Sequence, residues 1–207
     1  MSRTVLRSLR LALASLLTVA LVAQLAIGMS RSALTVVRFF SYFPVLANVM
    51  AVVLAVMLAA RPGRDASPRF AVFRGAVTVY MAATGLVYAL LNAPGSGNVG
   101  VHEPWIDWCI RVLGPIAVTL DWIAHPPPVQ MPGESLWIWL LFPAAYLGYS
   151  LIRGPLVDWY PYPFLDPAQG GYGTVAMWSG VVLVVISSLG YACYWWADRR
   201  SAATATA

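Results

Sequence analysis

Apolar residues dominate six stretches of the chain, and short polar or proline-rich stretches separate them. The runs cover about 11–29, 36–60, 70–93, 105–124, 136–152 and 175–196. A helix needs about 20 mostly apolar residues to cross the hydrocarbon of a bilayer. The pattern therefore predicts an all-α fold: one domain over 1–207, a polytopic transmembrane bundle of six helices. The first run follows Arg3, Arg7 and Arg10, as a signal peptide would. Its length favours a spanning helix over a cleaved leader, which stays as the alternative.

Irregularities inside the runs sharpen this picture. The second opens with Arg38-Phe-Phe-Ser-Tyr-Phe-Pro44, and Pro44 is expected to kink it. The third carries Gly75 and Gly85 for close helix approach, and Tyr80, Thr84, Tyr88 and Asn92 as a polar set at helical spacing. The fifth contains Pro143, with Ala144 and Gly148 as a small-residue packing face. Between the fifth and sixth runs lies Arg153 to Asp166, with Pro155, Pro161 and Pro163 among Trp159, Tyr160, Tyr162 and Phe164. The prolines predict that neither helix continues through it, and the aromatics suit a membrane–water boundary. It reads as an interfacial cap. A flexible glycine turn over 170–173 and a disordered tail over 201–207 are expected.

Composition agrees with the pattern. The 207 residues are 60% hydrophobic and 10% charged, where a soluble domain carries charge on about a quarter of its residues. The net charge of +5 comes wholly from arginine, since the chain has no lysine. These arginines lie mostly at run ends, which points to topology and lipid headgroups and not to nucleic acid. The N-terminus, the loop 61–69 and Arg199-Arg200 share one side of a six-span chain, and the other side carries acids. The positive-inside rule then places both termini in the cytoplasm and the cap outside, in a plasma membrane such as a bacterial inner membrane. Cys109 and Cys193 fall in opposite halves of the bilayer and form no disulfide framework.

Candidate chemistry concentrates in the fourth run. Asp107, Arg111, Gly114, Val118 and Asp121 recur at steps of three and four and share a helix face. Arg111 lies within the apolar zone, with Asp107 one turn away as its natural partner. Counting spans brings Arg38, Tyr88, Asn92, Asp107 and Arg111 to the outer half, with Asp158, Tyr160 and Tyr162 from the cap. This predicts a polar pocket that opens outward, walled by apolar helix and suited to an amphiphile with a polar head and an acyl tail. The alternative is a polar network that only fastens helices. Ser41 is a weak candidate nucleophile, and backbone back-bonding is the commoner role for a helical serine. His102 is a weak candidate base. His125 reads as structural. No metal-ligand pattern or cofactor motif is present.

The order of segments, the stretch Phe40-Ser-Tyr-Phe43, the Pro115 to Trp122 run and above all Trp159-Tyr-Pro-Tyr-Pro-Phe-Leu-Asp166 resemble the androgen-induced / androgen-dependent TFPI-regulating family, in particular its bacterial branch of small integral membrane proteins. The resemblance covers 39 to about 184. It implies six spans and, from the animal members, hydrolysis of fatty acid esters of hydroxy fatty acids by an intramembrane threonine and a histidine. The matching positions here hold Pro44 and Arg111 or Ile110. What the resemblance carries over is thus the scaffold and the pocket, without the threonine and histidine. The expected function is binding of membrane lipids or fatty-acid derivatives. The alternatives are an ester hydrolase using Ser41 with His102 or water, and a structural subunit of a membrane complex.

Overall fold

The computed structural model describes residues 2–61, 63–90 and 103–205. Its helices are α1 (Arg3–Ser30), α2 (Val36–Phe40), α3 (Phe43–Ala60), α4 (Pro68–Leu90), α5 (Pro104–Trp108), α6 (Gly114–Ala124), α7 (Ser135–Val157) and α8 (Gly171–Ala205). No strand occurs among the described residues. Five helices are long and apolar enough to cross a membrane: α1, α3, α4, α7 and α8. The fourth apolar run is also helical throughout. It is divided because a π-helical turn, Cys109–Leu113, joins α5 to α6.

Side-chain pairs fix the helix directions. Arg31 meets Glu103 at 2.7 Å and Arg10 meets Asp121 at 3.0 Å, so the 104–124 run lies antiparallel to α1. The bundle thus has an Arg10 end and an Arg31 end. The centre is α4, whose most apolar window is 67% buried, against 17% for α7 and α8. Those two outer helices present their apolar side chains outward, as lipid contact requires; Leu156 and Tyr172 are among the most exposed. Tryptophans clasp the layers together. The Trp139 indole lies over Gly75 and donates to the Val72 carbonyl at 2.8 Å, while Tyr80 donates to the Trp139 carbonyl at 2.9 Å. Trp122 donates to the Cys193 carbonyl at 3.2 Å, which puts Cys193 at the Arg10 end and far along the bundle from Cys109.

Several boundaries differ from the sequence expectation. The second run is not one kinked helix but two, α2 and α3, separated at Ser41 and Tyr42. Proline disfavours helical conformation in the residue before it, but its absent N–H costs nothing in a first turn. Pro44 accordingly opens α3 instead of bending a longer helix. At its other end, α7 continues through Pro143 and Pro155 to Val157 and stops where Asp158 turns left-handed, at φ 48°. The cap is thus shorter than the proline count suggests. α8 begins at Gly171 and runs to Ala205, so the glycine turn and much of the tail are helical. Gly148 has no neighbour within 4 Å of where a Cβ would stand, so among the described residues no helix packs closely at Gly148.

Candidate functional site

The site begins with a backbone irregularity. In the π turn the Gly114 N–H bonds the Cys109 carbonyl, one residue further back than in an α-helix. The next carbonyl in that register, Ile110, would need an N–H from residue 115, which is proline. Asn48 fills the gap: its amide donates to the Ile110 carbonyl at 2.9 Å and to the Pro44 carbonyl at 2.8 Å. One fully buried side chain thereby holds α3 against the turn that carries Arg111.

Arg111 leaves this turn with 5% of its surface exposed. Its Nε lies 3.4 Å from the Asp107 carboxylate, and its guanidinium lies over the Tyr88 ring at 5.4 Å. It faces a cavity of about 600 Å3 bounded by α3, α4, α7 and α8. The wall is almost wholly apolar, with Phe43, Leu140, Leu147, Val182 and Ile186 among its members, and Arg111 is its one charged residue among those described. Tyr88, Tyr146 and Tyr162 supply polar tips. Thr84 and Ser179 also line the cavity; their hydroxyl oxygens are buried and have no hydrogen-bond partner among the described residues.

The roof is the cap, from Tyr162 to Leu165. Tyr42 packs edge-on to Tyr162 at 6.0 Å, Tyr162 stacks on Phe164 at 5.2 Å, and Phe164 reaches Trp178 of α8 at 6.2 Å. Burial pushes the Tyr162 phenol well above its ordinary pKa; Tyr146 adds to this and Arg111 opposes it. Tyr162 stays a neutral donor at neutral pH.

Of the predicted ligand-binding residues, Arg111, Tyr88 and Tyr162 border the cavity, and Asp107 stands behind Arg111. The others do not border it. Arg38 is exposed and lies over Trp159 at 5.4 Å, as does Arg153, so both hold the base of the cap. Asp158 ends α7, and Tyr160 lies across Gly154, where a Cβ would strike its ring. Asn92 and His102 lie outside the described residues. Ser41 is fully buried and away from the cavity. Its hydroxyl donates to the Val37 carbonyl at 2.7 Å and pairs with Tyr149 at 2.9 Å, which is the back-bonded role.

Asn48, Thr84, Tyr146 and Ser179 were not marked as site residues by sequence. Thr84 does lie in the polar set of the third run, and Asn48 is the lone amide in an otherwise apolar half of the second. Tyr146 and Ser179 carry no such signal. Among the described residues, no group of three His, Cys, Asp or Glu side chains could hold a metal ion. Compared with protein-family models, with curated proteins and with solved structures, the chain matches none.

Proposed function

We propose that this is a six-span plasma-membrane protein, N-in and C-in, whose outward-facing cavity binds a fatty acid or a similar single-headed anionic lipid. The observation that carries this reading is one charged residue, among those described, on a mostly apolar wall: Arg111 borders about 600 Å3 of space lined largely by hydrocarbon. That volume lies within the ~300–1,000 Å3 usual for small-molecule sites. A guanidinium can bind a carboxylate in two-point fashion and cannot serve as a general base. Asp107 orients it.

The proposal extends to membership of the family whose motif the cap resembles. Pro44 and Arg111, which match that family's threonine and histidine, border the same cavity here. The scaffold would thus keep the pocket while its chemistry has been replaced by binding. Ser41, already bonded at Val37 and Tyr149, does not supply a replacement nucleophile.

The test is lipid retention by the purified protein, read by native mass spectrometry with a panel of fatty acids. The wild type should hold one fatty acid, and Arg111→Gln should weaken it about tenfold, the loss expected for one charge-assisted hydrogen bond. Equal retention by a folded Arg111→Gln protein sinks the reading. Turnover of a fatty-acid ester panel by the wild type would restore the hydrolase.

A further inference from the structure

A second cleft, independent of the outer cavity, lies at the Arg10 end of the bundle. It has a volume of about 380 Å3 between α1, α3, α4 and α6. Its space comes from small residues: Ala51 and Ala55 of α3 face Ala117 and Ala124 of α6, where larger side chains would fill it. Leu9 and Leu120 stand at its rim and are 55% and 57% exposed, so the cleft opens sideways toward the hydrocarbon. Its polar side is strongly basic. Arg10 contacts both oxygens of Asp121 at 3.0 and 3.1 Å, and Arg74, 1% exposed, reaches the same carboxylate at 3.2 Å. His125 Nδ1 lies 3.3 Å from Asp121. Arg10 thus stands at the polar side of the cleft, held by Asp121, with Arg74 behind it.

We propose that this cleft binds an anionic phospholipid, with its phosphodiester at Arg10 and an acyl chain along Leu13, Leu54 and Leu58. Guanidinium groups match phosphate geometry, and hydrogen bonds between such charged groups are the strong ones. Arg3 and Arg7 are exposed on α1 and stand seven and three residues before Arg10, so the three form one helical face leading to the cleft. A basic ladder at a membrane surface attracts anionic lipid. The apolar wall and the sideways mouth fit an acyl chain and have no use for a free anion.

The test uses full-length protein in zwitterionic detergent-free nanodiscs, with a photo-reactive residue replacing Leu120. Phosphatidylglycerol should cross-link there, and phosphatidylcholine should do so at least about tenfold less. Arg10→Gln should abolish the preference; it leaves the bonds from Arg74 to the Asp121 and His125 carbonyls in place and is the variant expected to fold. Replacing Arg3 and Arg7 together with Gln should narrow the preference. Equal labelling by both lipids, or a preference that survives Arg10→Gln, overturns the proposal. Displacement of phosphatidylglycerol by millimolar inorganic phosphate would make the site a plain anion site and overturn the lipid assignment.

Discussion

The two buried arginines of the bundle behave differently, and the contrast separates fastening from recognition. Arg74 is tied down along α6: it donates to the Asp121 carbonyl at 3.1 Å, to the His125 carbonyl at 2.7 Å and to the Asp121 carboxylate. Those carbonyls end a helix, where positive charge is favoured. Arg111 instead sits on a π turn, between a carboxylate of its own helix run and an aromatic face, and borders the larger cavity. One arginine joins two helices. The other, paired with Asp107, lies at the edge of a cavity. In both cases a second side chain, Asp121 or Asn48, decides which.

The largest effect should come from breaking the fastened arginine. Arg74→Ala leaves Asp121 paired with Arg10 but takes the donor from the Asp121 and His125 carbonyls and opens a gap in the core, at a cost of about 2–5 kcal/mol. A lowered unfolding midpoint in detergent would show it. Next comes the helix clasp. Gly75→Ala drives a methyl group into the Trp139 ring and should cost about 1–3 kcal/mol as that ring shifts from its bond to Val72. Asn48→Leu leaves the Ile110 carbonyl without its donor and should cost about 1–3 kcal/mol. It should also weaken fatty-acid retention, because the turn bearing Arg111 loses its support; a pure stability loss with unchanged retention would separate the turn from the site. The smallest effect should run the other way. Gln24 is fully buried in α1, and neither end of its amide is bonded among the described residues, so Gln24→Leu should raise the midpoint by the equivalent of about 1 kcal/mol.

The bundle was legible because its signal is thermodynamic and cumulative: long apolar runs have few alternatives to helix. Asp107 beside Arg111 was legible for a related reason, since a charge in such a run needs a neighbour at helical spacing. The break before Pro44, the π turn and the extension through Pro155 were not, because each depends on where a missing N–H falls relative to a helix end. Arg38 and Asp158 were assigned to the pocket by counting spans, which gives depth but no azimuth. Their helix faces turn them to the cap base and to the helix end. The Arg10–Asp121–Arg74 cluster joins residues from three helices, and no spacing within one helix reports it.

The pinned roof has a consequence for how the outer cavity is filled. Tyr42 against Tyr162 and Trp178 against Phe164 hold the cap from both sides, while on the flank Ala144 and Leu183 border the cavity and are exposed. On the proposed reading, a fatty acid would enter by lateral diffusion from the bilayer rather than by capture from water. Its effective concentration is its mole fraction among the surrounding lipids, so occupancy should fall on dilution with inert lipid even when the bulk amount of ligand is held constant.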